Sequence, residues 1–142
     1  MIRPYRPEDL EALLDVWYEA SLIAHPFLDE AFLQKERIKI RDVYTPMTET
    51  WVYEEEGHVV GFISLIEIEV GAIFVYPSHQ GKGIGRALMD KARSIRPTLE
   101  LDVFKANPIG RAFYERYGFV FVREGLHEET GQPILRLRLP EP

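Results

Sequence analysis

Three glycines at alternate positions, Gly81, Gly83 and Gly85, lie between an apolar run (Ile73-Phe74-Val75-Tyr76) and the start of an amphipathic segment. Glycine reaches backbone conformations closed to other residues, and without Cβ atoms its amides can face outward unshielded. Amides converging where a helix begins form an anion site, reinforced by the positive end of the helix dipole, and a pyrophosphate suits it best. Two familiar nucleotide loops do not fit. Lys82 is not followed by Ser or Thr, as a Walker A loop requires, and the spacing is Gly-x-Gly-x-Gly rather than Gly-x-Gly-x-x-Gly. The chain has no cysteine, which removes thiolate catalysis, disulfides and Cys-ligated metals.

The glycines need a strand before them and a helix after them. Gly71 to Tyr76 reads as that strand, Pro77 opens the turn, and Ile84, Leu88 and Ala92 form the inner face of a helix stopping before Pro97. Upstream, Ile2 to Tyr5 reads as a short strand. Leu10, Leu13, Leu14 and Trp17 follow at helical spacing behind Pro7, on a helix expected to end near Ala20. His25-Pro26-Phe27 marks a turn, and Asp29 to Val43 resumes a helix that Thr45-Pro46 is expected to break. Trp51 to Tyr53 and Val59 to Ile66 form a hairpin about Glu56-Gly57. Leu99 to Phe104 alternates as a strand. Asn107-Pro108 starts a helix, with an N-cap side chain and Pro at the first position, and Gly118 ends it. Phe119 to Arg123 and Ile134 to Leu139 are the last strands. The order is β-α-α-β-β-β-α-β-α-β-β, a mixed sheet covered by helices on both faces.

Gln80-Gly81-Lys82-Gly83-Ile84-Gly85, behind its strand, resembles the acyl-CoA pyrophosphate loop of the GNAT superfamily of N-acetyltransferases. Asn107-Pro108-Ile109-Gly110-Arg111-Ala112-Phe113-Tyr114-Glu115-Arg116-Tyr117-Gly118-Phe119 resembles that family's second signature, departing from it at Gly110, where alanine is usual. The element order resembles the family's from end to end. The resemblance implies an α/β (α+β) fold with a mixed, mostly antiparallel sheet of about seven strands and about four helices. It also implies acetyl-CoA as co-substrate, no metal, and direct transfer of acetyl to a primary amine in a ternary complex.

By the same resemblance, Gln80 to Gly85 and Arg86 hold the pyrophosphate. The amides of Ile73, Phe74 and Val75 polarise the thioester carbonyl. Asn107 hydrogen-bonds the pantetheine arm, Gly110 leaves room for it, and Tyr114 places its hydroxyl at the thioester sulfur. A lysine-like amine is only about 0.04% neutral at pH 7, so a base or water chain must take a proton. Glu67 and Glu69, on one face of the chain if it is extended there, are the candidates. His25, Phe27 and Tyr44 are candidates for the acceptor site, with Trp51 as a further wall.

With 142 residues, the chain is read as one domain, 1–142. A net charge of −6 argues against nucleic acid as partner and suits a cationic acceptor: a small amine, a protein lysine or a protein N-terminus. No apolar run reaches membrane-span length and Met1-Ile2-Arg3-Pro4 has no signal-peptide core, so no membrane partner and a cytoplasmic location are expected. Monomer and homodimer are both open. The competing function is a non-catalytic acyl-CoA-binding regulator on the same fold, which would have no use for the Tyr114 phenol.

Overall fold

The structure is a computed structural model, described here for residues 1–141. Seven strands form one sheet in the order β1-β2-β3-β4-β5-β7-β6. They are β1 (Ile2–Pro4), β2 (Glu49–Glu55), β3 (His58–Ile66), β4 (Glu69–Val75), β5 (Leu99–Phe104), β6 (Val120–Leu126) and β7 (Pro133–Leu139). The helices are α1 (Leu10–Ala24), α2 (Glu30–Lys39), α3 (Ile84–Ile95) and α4 (Pro108–Tyr117). The expected order of elements is thus found, with shifted boundaries. Helix α1 runs one turn past Ala20, to His25, whose amide donates to the Ser21 carbonyl.

Local chemistry accounts for the joints. Glu56 (φ 51°) and Gly57 (φ 80°) take the two left-handed positions of a tight hairpin turn between β2 and β3. Asp29 caps α2 by accepting from the Phe32 amide at 2.8 Å. Thr45-Pro46 does not break α2 as expected. The helix widens into a π turn over Ile40–Tyr44 and ends in a helical turn, Thr45–Met47. Pro46, which has no amide hydrogen to donate, stands in that last turn directly after the π turn, where the ladder is already offset by the Thr45 amide donating to the Ile40 carbonyl. π turns of this kind recur at functional sites.

Two apolar layers grip the sheet. Leu13, Leu14, Val16 and Trp17 of α1 and Leu33 of α2 pack with Val52 and Phe62 on one face. Leu88, Met89 and Ala92 of α3 pack on the other, with Ile63, Leu65, Leu99, Leu101 and Leu137. All neighbouring strands are antiparallel except β4 and β5. That parallel pair meets in register only at Glu69 opposite Glu100 and then diverges, whereas β5 stays paired with β7 from Leu99 to Phe104. The sheet therefore splits along half its height.

An ion-pair knot closes the apex of the split. Arg136 of β7 donates through Nη1 to Glu69 Oε2 at 2.8 Å and through Nε to Glu100 Oε1 at 3.1 Å. Its Nη1 also lies 3.4 Å from Asp102 Oδ1. One guanidinium thus ties the last paired residues of β4 and β5, a geometry that the planar fork of arginine suits and lysine does not.

Candidate active site between the split strands

Where β4 leaves β5, a cavity of about 860 Å³ opens, large enough for an extended cofactor and an acceptor side chain together. Its walls are Gly71 to Val75 of β4, Leu101 to Phe104 of β5, α4 from Asn107 onward, and the inner sides of α1 and α2. Backbone direction alternates along a strand. The Tyr76 amide donates to Val60 of β3, so the amides of Phe74 and Ala72 also turn toward β3, and those of Ile73 and Val75 turn to the gap. A bulge at the Ser64–Leu65 step, where Gly71 is the extra residue of β4, bends the strand at the cavity floor.

The glycine loop forms the rim. Gly81 (φ 79°) and Gly83 (φ 85°) are left-handed, and a Cβ added at either would meet nothing within 4 Å. Open space beside bare backbone at the N-terminus of α3 is the cradle a pyrophosphate requires, so the chain fits acetyl-CoA. Gln80 Nε2 donates to the Val75 carbonyl at 3.0 Å and pins the loop to the end of β4. Gln80, Gly81, Gly83, Gly85 and Arg86 all border the cavity. Two residues of the expected set do not present side chains there. Ile84 is buried in the core beneath the loop, and Lys82 is exposed outside the cavity wall. Only their amides belong to the loop.

Helix α4 has no fully buried residue, because its inner face looks into the cavity instead of onto packed strands. Tyr114 borders the cavity between the Phe113 and Phe119 rings, and among the described residues its hydroxyl forms no hydrogen bond. Burial pushes its phenol well above the ordinary tyrosine range, so it stays protonated at neutral pH. Tyr117, one turn on, is committed elsewhere. It donates to Asp90 Oδ1 at 2.5 Å and is pushed up to about 12 by burial and by that carboxylate. Of these two, Tyr114 is the phenol left free to act.

Asn107 is buried and both ends of its amide are used: Oδ1 accepts from the Gly110 amide at 3.0 Å, and Nδ2 donates to His25 Nε2 at 3.3 Å. A Cβ at residue 110 would lie 2.5 Å from Asn107 Nδ2. Gly110, which borders the cavity, thus also makes room for this asparagine. The pairing ties the α1–α2 loop to α4 across the cavity.

At the inner end, rings from five segments form a slot. His25 lies 5.0 Å from Phe104 and 6.4 Å from Phe74, and Phe104 lies 5.2 Å from His127. Phe32 of α2 is 6.1 Å from His127. Phe27 does not border the cavity as expected. It stands behind the slot, bracing His25 and Phe104 at 5.7 and 5.2 Å. Burial among rings pulls His25 down to about 4, leaving a neutral imidazole that accepts from Asn107. Tyr44, on the π turn, borders the cavity as expected. Trp51 lies outside it, under the Lys91 ammonium at 4.1 Å.

The carboxylates expected to serve as base are placed differently. Glu67 has φ 52° in the β3–β4 turn, so the chain is not extended there and Glu67 and Glu69 do not share a strand face. Neither borders the cavity, and Glu69 is locked to Arg136. Sequence reasoning passed over Glu36 of α2, Ser21 of α1 and His127, which do border it. Glu36 and Ser21 lie one helical turn from the apolar positions Leu33 and Trp17, a spacing that points them to the core side.

Residues 46–121 match the family model of the Acetyltransferase (GNAT) domain, more than half of the chain. The chain is 34% identical over 141 residues to peptidyl-lysine N-acetyltransferase YiaC of Escherichia coli (strain K12), covering 99% of this chain and 97% of that protein. Its fold is close to the solution structure of apo-form YjaB from Escherichia coli, with TM-score 0.88, 28% identity, and coverage of 100% and 98%. A crystal structure of PaiA N-acetyltransferase from Thermoplasma acidophilum in complex with coenzyme A shares the fold at TM-score 0.80 and 20% identity, with coverage of 100% and 98%. The split sheet and glycine cradle are thus those of an acyl-CoA-dependent transferase class. The chain belongs to the GNAT acetyltransferase family. It is an N-acetyltransferase that uses acetyl-CoA and transfers the acetyl group to an amine, which sets aside the reading as a non-catalytic regulator.

Proposed function

We propose that the chain acts as a single 142-residue catalytic unit in the cytoplasm, acetylating lysine side chains of proteins. The observation that carries this reading is the slot bounded by His25, Phe32, Phe74, Phe104 and His127. Aromatic faces attract a cation by their quadrupole and give methylene groups an apolar wall, so a long, flexible chain ending in an ammonium matches it. The name of the relative from Escherichia coli, a peptidyl-lysine N-acetyltransferase, supports the same acceptor. Among the described residues, no helix is long and apolar enough to cross a membrane.

Acetyl-CoA, when bound, supplies the acetyl group as an activated thioester. The chain's own parts then divide the work. The amides of the Gly81–Gly85 loop hold the pyrophosphate, with Arg86 beside them. The gap-facing amides of Ile73 and Val75 bind the thioester oxygen, an oxyanion contribution of about 3–4 kcal/mol per donor. Tyr114 donates its hydroxyl hydrogen to the departing sulfur. Asn107 works indirectly, by holding His25 against the acceptor slot.

Release of free CoA would be measured with a lysine peptide whose N-terminus is blocked, an N-terminal peptide without lysine, polyamines and amino acids. The lysine peptide is expected to turn over fastest, with the acetyl group on the ε-nitrogen by mass spectrometry. Preference for a free amino acid or a polyamine would overturn the acceptor assignment.

A further inference from the structure

The cavity wall formed by α1 and α2 carries polar groups that the proposed function has not used. Glu36 borders the cavity beside Phe32, Leu33 and His127, with its side chain largely buried. Among the described residues its carboxylate accepts no hydrogen bond. The Lys39 ammonium lies 3.7 Å away and closes instead onto Glu129 Oε1 at 2.5 Å. The Ser21 hydroxyl, 1% exposed, borders the same cavity and is a buried side-chain oxygen without a partner. Buried hydroxyls are almost always satisfied, so an unpaired one in a cavity wall points to a guest molecule. A carboxylate open to the cavity beside Phe32 and His127, where the wall meets the aromatic slot, suits a primary ammonium.

We propose that Glu36 is the acceptor-side catalytic carboxylate: it receives the lysine ε-ammonium at the end of the aromatic slot and takes one proton from it. This rests on the lysine reading above. The N–H bond breaks, its electron pair stays on nitrogen, and the neutral amine is then able to attack. The proton passes from Glu36 to solvent along the side where Lys39 and Glu129 are exposed. The groups facing Glu36 are Lys39 on its own helix and His127 and Glu129 on the β6–β7 loop. Burial raises the carboxyl above its ordinary range, which makes it a stronger base than an exposed glutamate.

The pH profile separates this role from a structural one. In wild-type protein, kcat/KM for the blocked lysine peptide is expected to be flat from about pH 7 to 9, since the enzyme itself removes the proton. In Glu36→Gln it should fall about 100-fold at pH 7 and then rise about tenfold per pH unit, tracking the free amine fraction. Acetyl-CoA affinity by calorimetry should stay within about twofold, which also certifies the fold. Glu36→Asp, which keeps a carboxylate, should retain the flat profile at reduced rate. A flat Glu36→Gln profile with rates within about threefold of wild type would overturn the proposal. So would a Glu36→Asp profile that rises like that of Glu36→Gln. No turnover of the lysine peptide by wild-type protein, with another amine accepted, would overturn the acceptor reading itself, and this assignment with it.

Discussion

The two ends of the cavity are built by different means. At the rim, main-chain amides do the binding, and the residues that shape them are contiguous: a strand, two left-handed glycines and a helix start, all between Gly71 and Arg86. At the inner end, side chains do the binding, and they come from α1, α2, β4, β5 and the β6–β7 loop. A backbone cradle recognises a phosphate whatever the acceptor is. A slot assembled from distant side chains can be rebuilt piece by piece without disturbing the cradle. Within one fold the first is suited to the constant co-substrate and the second to a variable acceptor.

The sharpest test of that division is Tyr114→Phe, which removes one oxygen where the two ends meet. It is expected to lower kcat by about 10²–10³-fold, within the range of a single acid–base group, and to leave acetyl-CoA affinity unchanged by calorimetry. A loss confined to KM would place the phenol in binding rather than in the chemical step.

His25 tests the inner end through stability. Its folded pKa, about 4, lies below the ordinary 6.5, so the unfolded chain binds more protons between those values. Stability from keeping His25 neutral is therefore full above about pH 6.5 and is lost as pH falls toward 4. Urea unfolding at pH 7 and pH 4.5 should show wild-type protein losing about 2 kcal/mol more than His25→Gln. Equal losses would mean the imidazole is charged in the folded state.

At the rim, Gly83→Val forces a β-branched residue into a left-handed position with open space around it. The cost is conformational, roughly 1–2 kcal/mol. It should appear as about a tenfold weaker acetyl-CoA affinity with kcat at saturation nearly unchanged. The smallest effect is expected at the apex, where Arg136→Lys keeps the charge but loses the fork. A rise of about two- to threefold in the KM for acetyl-CoA, with a loss of roughly 1 kcal/mol in stability, would fit a clamp that sets the width of the split. An unchanged KM would detach the clamp from cofactor binding.

The same contrast explains what the sequence reveals. The glycine loop and the Asn107 cap are local patterns with local causes, so spacing places them, whereas Tyr114 is marked out by the resemblance to the family's second signature. The element order follows from periodicity, and the sheet contains it unchanged. Glu67 and Glu69 are close in sequence but lie outside the cavity wall, because a single positive φ at Glu67 breaks the extended geometry that pairs them on one face. Arg136, which captures Glu69, lies 67 positions away. Glu36 carries no local signal beyond its helical phase, and its environment is set by Phe32 from its own helix and His127 from the far end of the chain. Phe27 was placed one layer too far in, because an aromatic residue in a turn shows its burial in sequence but not its side.

The account stands or falls on which amine the slot prefers. The most direct measurement is the ratio of kcat/KM for two peptides of the same sequence length, one offering only a lysine ε-amine and one only an N-terminal amine, at fixed saturating acetyl-CoA. A ratio of about ten or more in favour of lysine is predicted from a slot shaped for a long methylene chain, since each methylene in an apolar channel contributes about 0.8 kcal/mol. A ratio near one, or one favouring the N-terminal amine, would contradict it and leave the aromatic slot without its assigned guest.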